Sequence, residues 1–308
     1  MTYVSAPHVI PYQGSKRKLA PDILNFFPKD IACLYEPFAG SAAITLAAAA
    51  NELADNFVIG DKLKPLAELW AQIIDDPGSL AEEYANLWDS QLSDPAAFFL
   101  DTRKAFNISG EAAKFLYLVA RCVKNSIRFN GAGQFNQGAD RRRLGLRPEK
   151  LAREAMKTSA LLQGRTTVVA GDFREIIKDA GPQDLVYMDP PWQGTSGKKD
   201  PRYAFLLNLD ELVEELALLN KKRVPFILSF DGTCGDRGYG EALPDSLQLR
   251  KINLNAGRSS QATLLGRDEV TVESLYLSKA LVDKLDGTSP SLAFEVRRQA
   301  DLFEVVES

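Results

Sequence analysis

Histidine is nearly missing from this chain, His8 being the only one in 308 residues. That scarcity argues against a histidine-dependent catalytic triad and against a Cys/His zinc site, and no metal is expected. Cysteine is scarce as well. Cys33, Cys122 and Cys234 stand far apart and form no Cys-x-x-Cys pair, so a reducing, cytoplasmic compartment is expected. No apolar run approaches the roughly 20 residues that span a bilayer. Residues 1–11 lack the basic-then-apolar plan of a secretory signal. Strong charge of one sign is also absent: the net value of −4 argues against a wholly cationic chain but leaves room for local fields. Internal repeats and low-complexity tracts are not found.

What is present is the composition of an ordinary globular protein, 45% apolar and 25% charged, in a chain long enough for one large domain or two. Charge is segregated along it. Between Arg121 and Lys157 ten Lys/Arg face three Asp/Glu, whereas residues 301–308 are acidic.

The apolar run 184–188 reads as a short buried strand. It ends on Asp189-Pro190-Pro191-Trp192. The carboxyl end of a strand in an open parallel sheet is where ligands bind, and two prolines fix φ and remove two backbone donors. Asp189 and the Pro190 carbonyl beside an indole suit an exocyclic amine on a flat heterocycle. Taken alone, the segment is equally well a strand-end turn with a satisfied aspartate.

Residues 33–46 predict a strand, a small-residue turn at Gly40-Ser41-Ala42, and an alanine-rich helix through residue 50. Small residues let the backbone approach a ligand and set a helix N-terminus against it. A second strand, 56–60, ends at Asp61, about 20 positions after the turn, the separation at which Rossmann-like folds place a carboxylate on a ribose. Ala42 occupies the second glycine position of Gly-x-Gly-x-x-Gly, so a dinucleotide is not favoured over another nucleoside. Upstream, Tyr12-Gln13-Gly14-Ser15-Lys16 is a basic turn before a helix at 20–27. It is not a phosphate-binding Walker loop.

From 62 to about 157 the strand–helix rhythm lapses. Helices are predicted at 63–74, 77–92, 95–106 and 111–122 from three- and four-residue apolar spacing, with Trp70, Trp88 and Phe98-Phe99 as core. A hairpin or long turn follows at 125–138, then Arg141-Arg142-Arg143 and Arg147. Amides and guanidiniums are the groups that read base edges and phosphates; a solvated polar loop is the alternative. The rhythm then returns. Strands are predicted at 166–170, ending at Gly171-Asp172-Phe173, and at 224–230, 247–254 and 272–277; helices at 174–179 and 209–220. Residues 194–203 read as a mobile loop, Arg258-Ser259-Ser260-Gln261 and Gly266-Arg267 as a turn, and 286–308 as a tail or short terminal helix.

The ordered set Tyr-x-Gly-Ser-Lys, Glu-Pro-Phe-x-Gly, helical stretch with basic loop, and Asp-Pro-Pro-Trp resembles the DNA adenine methylase family, the D12 class of N6-adenine-specific DNA methyltransferases, over about residues 9–280. The resemblance implies a Rossmann-like α/β sheet dependent on S-adenosylmethionine with an inserted, mostly helical target-recognition domain. Residues 1–62 and 158–285 would be catalytic, 63–157 the insert with its DNA-reading hairpin, and 286–308 a tail. Tyr12, Gly14 and Lys16 would edge the cofactor pocket near its methionine end; Glu36, Pro37, Phe38, Gly40 and Ser41 would form the central turn. Asp61 would take the ribose hydroxyls, Asp172 and Phe173 would bracket the cofactor adenine, and Asp189 would adjoin the cofactor. Asp189, Pro190, Pro191 and Trp192 would hold the target base, while Arg128, Asn130, Asn136, Arg141, Arg142 and Arg143 would contact double-stranded DNA. Arg258-Ser259-Ser260 and Glu273-Ser274-Leu275-Tyr276 would belong to the closing strands. The family departs here at Ala42, where glycine is common, and at Trp192, where tyrosine or phenylalanine is common.

The implied activity is site-specific adenine-N6 methylation of a flipped-out base. Cytosine-N4 methylation, RNA methylation and a catalytically silent DNA-binding subunit are the rivals. A monomer in a bacterial or phage setting, nucleoid-associated and paired with a cognate restriction endonuclease where it serves restriction–modification, completes the expectation.

Overall fold

A computed structural model describes residues 3–191, 207–234, 237–239, 243–258 and 270–288. Trp192, the loop expected at 194–203, residues 259–261 and 266–267, and the chain beyond 288 lie outside these residues.

Strands β1 (Cys33–Glu36), β2 (Asn56–Asp61), β3 (Thr166–Ala170), β4 (Leu185–Met188) and β5 (Phe226–Cys234) run parallel, and β6 (Arg237–Tyr239) pairs antiparallel with β5. Strands β7 (Arg250–Arg258) and β8 (Val270–Leu277) close one side, in the order β3-β2-β1-β4-β5-β8-β7. Both pairings of β8 are antiparallel. The order reverses between β1 and β4, which pair through Leu34 with Leu185 and Tyr35 with Val186. That reversal opens a crevice at the strands' carboxyl ends. The pairing of β5 with β8 slips between Ser229 and Gly232, an irregularity of the kind that bends a strand beside a site.

Both sheet faces are covered, which is why β4 reads as an unbroken apolar run, all four residues being fully buried. Leu185 and Tyr187 enter one core, Val186 and Met188 the other. Helices α8 (Phe173–Ile177) and α9 (Leu209–Lys221) cover the second face. The first carries α1 (Ala20–Leu24), α2 (Ala43–Ala50) and α10 (Lys279–Thr288). It also carries α3 (Lys64–Asp75), α4 (Pro77–Ser90), α5 (Pro95–Ser109), α6 (Ala112–Arg121) and α7 (Pro148–Leu162). Proline begins α4, α5 and α7, and the Asp76 and Asp94 carboxylates cap the first two by accepting backbone N–H groups.

Helix α7 is an addition to the expected elements, and it spans residue 157, the expected end of the insert. The helical stretch also has no core of its own: Trp70, Tyr84, Phe115 and Leu151 lie in one cluster with Ile10, Leu46, Leu185 and Leu281. β6 and α10 are further additions, α10 running into 286–288, the start of the expected tail; the other elements fall close to their expected places, with β5 and β7 each ending four residues later.

Residues 123–139 double back, as their glycines and amides predict. Phe129 and Phe135 form an antiparallel bridge, as do Cys122 and Ala139. Phe106, Phe115, Phe129 and Phe135 interlock in edge-to-face, tilted and stacked pairs, with centroids 5.2–6.5 Å apart. This aromatic knot roots the hairpin in the helices.

Candidate active site

The turn after β1 is built by close backbone approach. Gly40 has φ +50°, and a Cβ there would lie 3.1 Å from Cε1 of Tyr12, so only glycine suits both the torsion and the ring. Its carbonyl accepts from Trp70 Nε1 at 2.9 Å and its N–H donates to Asp61 Oδ2 at 3.3 Å. The Ser41 hydroxyl donates to Ser15 Oγ at 2.8 Å, joining the Gly14-Ser15-Lys16 turn to the glycine turn. Gln13 N–H donates to the Asn125 carbonyl at 3.2 Å, which ties this edge to the hairpin's root. Gly14 itself has φ +87°. Ala42, at φ +44° and ψ +40°, takes the left-handed conformation as the residue before α2.

Asp61 ends β2 alongside. Its Oδ1 accepts the Leu63 N–H at 2.8 Å and its Oδ2 the Gly40 N–H, leaving each oxygen acceptor capacity for a hydroxyl pair. Burial pushes its pKa to about 6, against the pull of those two N–H groups. Glu36, 3% exposed, serves the helix instead. Its Oε2 accepts Thr45 N–H at 2.8 Å, capping the start of α2, and burial raises its pKa to about 7. Pro37 is buried beside it. Phe38 and Phe173 stack at 5.2 Å with 29° between rings. Asp172 caps α8, accepting from Arg174 N and Nε, with Lys62 Nζ 3.6 Å away. The Arg174 hydrogen bond, chiefly, holds its pKa below the usual value.

Asp189 stands at the end of β4, next to the strand-order reversal, with its side chain 20% exposed and Pro190 buried behind it. The Lys16 ammonium lies 3.0 Å from its Oδ1 and 3.1 Å from Glu273 Oε2 on β8. Burial raises the Asp189 pKa to about 6, opposed by Lys16 and assisted by Glu273. Burial alone would lower the Lys16 pKa, but the two carboxylates outweigh it and raise it. The family resemblance directs Lys16 toward the methionine end of a cofactor; its ammonium sits on the acid pair. Glu273, by sequence only part of a closing strand, joins the site as well.

The basic loop is less uniform than its sequence. Asp140, 4% exposed, gathers the arginines: Arg142 Nε at 3.3 Å and Arg143 Nε at 3.0 Å. Hydrogen bonds from Arg142 hold the Asp140 carboxyl down at about 2. Arg143 also donates to Asn125 Oδ1 and the Cys122 carbonyl. Buried Arg121 donates to the carbonyls of Asp140, Arg143 and Pro95. Arg141 and Arg142 are both exposed, the Arg142 side chain at 86%. The Asn130 side chain holds its own turn, Oδ1 accepting from Ala132 and Gln134 N–H. The Asn136 side chain is exposed, and the Arg128 carbonyl accepts Asn136 N–H at 3.0 Å across the hairpin.

A mostly parallel sheet with a strand-order reversal, a glycine turn and carboxylates at β2 and β4 defines a Rossmann-like α/β protein of the kind that holds a nucleoside-bearing cofactor. Residues 12–231 match the family of D12 class N6 adenine-specific DNA methyltransferases, and the chain belongs to that family. It is 26% identical over 191 residues to a type II methyltransferase of Lactococcus lactis subsp. cremoris, covering 59% of this chain and 64% of that one. It is 28% identical over 193 residues to a DNA N-6-adenine-methyltransferase of Escherichia phage P1, covering 60% and 24%. With the retron Ec67 DNA adenine methylase of Escherichia coli it shares 25% over 304 residues, 94% and 99% of the two chains. The first two matches thus span less than two thirds of those relatives.

Membership of a methyltransferase family implies S-adenosylmethionine as methyl donor. The residues fit such a group: Asp61 oxygens with remaining acceptor capacity, a glycine turn of positive φ at Gly40, and the half-buried Phe38 ring backed by Phe173.

Proposed function

We propose that this chain is a site-specific DNA adenine-N6 methyltransferase. The observation that carries the proposal is Asp189, held by a buried ammonium at the carboxyl end of β4 where the strand order reverses. Family membership supports the same reading. Double-stranded DNA is the substrate proposed, and the adenine must leave the helix to reach a sheet edge, at a cost of a few kcal/mol.

S-adenosylmethionine, when bound, supplies an electrophilic sulfonium methyl. Asp61 would hold its ribose hydroxyls, with Tyr12, Gly14, Gly40 and Ser41 lining the central turn and Phe38, Asp172 and Phe173 flanking its adenine. The target N6 amine is a poor nucleophile because its lone pair is delocalised into the ring. A hydrogen bond from that amine to Asp189, with a second to the Pro190 carbonyl, favours a tetrahedral nitrogen and returns the lone pair. Pro191 stiffens the segment, and stacking on Trp192 would recover roughly 1–3 kcal/mol of the flipping cost. The amine proton is released as the nitrogen gains its methyl, and Asp189 is the adjoining base. Alignment of nitrogen, methyl and sulfur supplies much of the remaining acceleration. Residues 63–157, with the 125–138 hairpin and Arg128, Asn130, Asn136 and Arg141 to Arg143, form the proposed DNA-reading part, and relatives of the restriction–modification type suggest a cognate endonuclease as partner.

The test is transfer of labelled methyl to mixed-sequence duplex DNA, followed by nucleoside analysis. N6-methyladenine, lost in Asp189→Ala while S-adenosylhomocysteine still binds, is the expected result. N4-methylcytosine would replace the substrate, and transfer unaffected by Asp189→Ala would overturn the mechanism.

A further inference from the structure

Asp189 is one member of a largely buried charged row assembled from distant parts of the chain. Lys16 comes from the turn before α1, Asp189 from the end of β4, and Glu273 from β8. The ammonium is 8% exposed and lies between the two carboxylates, which are 20% and 14% exposed. Ser229 Oγ on β5 donates to Glu273 Oε2 at 3.5 Å, fixing that carboxylate from the neighbouring strand. Tyr187, two residues before Asp189 on the same face of β4, is fully buried beneath, and its hydroxyl feels Asp189, Glu36 and Glu273. Two carboxylates sharing one buried ammonium would be costly as mere structure, since buried ion pairs rarely repay their desolvation. Here the ammonium touches Asp189 Oδ1 and leaves Oδ2 with no partner among the described residues.

We propose that Lys16 and Glu273 are positioning residues for methyl transfer: Glu273 pins the Lys16 ammonium, which fixes the Asp189 rotamer through Oδ1 and keeps its carboxylate charged, so that Oδ2 receives the substrate amine. The proposal rests on the role given to Asp189 above. It differs from a cofactor-anchoring role for Lys16 in what each variant disturbs. An anchor sets cofactor affinity; a positioning cation sets kcat and the pH at which Asp189 loses its charge. Among the described residues the groups facing Asp189 are Lys16, Glu273, Glu36 and Tyr187, and only the first of these is cationic. Removing Lys16 therefore raises the pH at which Asp189 protonates, whereas neutralising Glu273 lowers it. Opposite shifts are what a purely structural role does not produce.

The experiment uses the full chain with Lys16→Met and Glu273→Gln, measuring kcat and KM on DNA from pH 5 to 9 and S-adenosylhomocysteine binding by calorimetry. For Lys16→Met, kcat falls about a hundredfold, as for a misplaced catalytic group. Its acidic limb moves up by about one pH unit. Glu273→Gln moves that limb down, and cofactor affinity stays within about threefold of the parent in both, under half of a tenfold step. Glu273→Gln leaves the ammonium one carboxylate and carries the test should Lys16→Met not fold. Titration of ¹³C-labelled aspartate, with Asp189 assigned through Asp189→Asn, reports the same shifts without turnover. An active parent whose variants keep its acidic limb overturns this inference alone, as does Lys16→Met losing cofactor affinity with an unmoved limb. A parent that transfers no methyl to any duplex overturns the reading of Asp189 and this inference with it.

Discussion

Asn107 devotes its whole side-chain amide to one residue, Phe135: Nδ2 donates to the Phe135 carbonyl at 3.1 Å, and Oδ1 accepts the Phe135 N–H at 2.8 Å. A side chain on α5 thereby does what a neighbouring strand would do for the hairpin. Arg103 Nη1 adds a bond to the Gln137 carbonyl at 3.2 Å. Asn107→Ala strands both backbone groups of a residue only 1% exposed, and a stability loss of about 1–3 kcal/mol is expected. Urea unfolding measures it. Binding to duplex DNA should weaken while S-adenosylhomocysteine binding holds; equal loss of both would mean the hairpin is not specific to DNA.

Glu36→Gln tests the buried carboxylate under the glycine turn. The group's ordinary value of 4.5 rises to about 7 in the fold, so the folded chain binds more protons than the unfolded one between those values. Its contribution is full below pH 4.5 and is lost as pH rises through 7. Asp61 and Asp189, each raised to about 6, act in the same direction. The amide keeps an acceptor for Thr45 N–H, so at pH 8 the variant should gain on the order of 2 kcal/mol over the parent, with the gain gone at pH 5. Parallel stability curves across that range would contradict this account.

Gly40 and Ala42 should respond unequally to exchange. Gly40→Ala places a methyl against Tyr12 at a positive φ, and a loss of at least about 1–2 kcal/mol is expected. Ala42 already bears a left-handed torsion. Ala42→Gly relieves roughly 1 kcal/mol of it but removes a fully buried methyl worth about 0.8 kcal/mol, so its urea midpoint should barely move. A large shift for Ala42→Gly would show that the strain lies elsewhere.

Arg141 and Arg143 differ in how far the fold engages them, and the proposed DNA contact can be tested at each. Arg143 is anchored by Asp140, Asn125 and the Cys122 carbonyl, and Arg143→Ala should lower the unfolding midpoint. Arg141→Ala should leave that midpoint alone and reduce the salt slope of DNA binding by about 1. An unchanged slope would remove Arg141 from the interface.

Where short-range chemistry decides, the chain can be read directly. β3 occupies 166–170 as expected because an apolar run stops at Gly171-Asp172. Helix α7 escapes such a reading because Thr158 and Ser159 sit at buried positions of its stripe. The Ser159 hydroxyl donates to the Ile74 carbonyl at 2.6 Å, a partner 85 residues away. Pro148 and the spacing of Leu151, Ala155 and Leu162 are the available signal. The basic loop reads as one field because a sequence shows charges but not that a single buried aspartate holds Arg142 and Arg143. Glu273 is invisible for the same reason. Its approach to Lys16 and Asp189 arises from strand pairing across β5 and β8, and no local spacing encodes that.

The fusion of the helical stretch with the sheet in one interior has a practical consequence. Exchanging residues 63–157 for the matching piece of a relative would sever a shared interior and cut through α7. A transplanted segment would have to carry its own partners for Leu46, Leu185 and Leu281, so the helical stretch is exchanged with less damage by point changes on exposed positions than as a block.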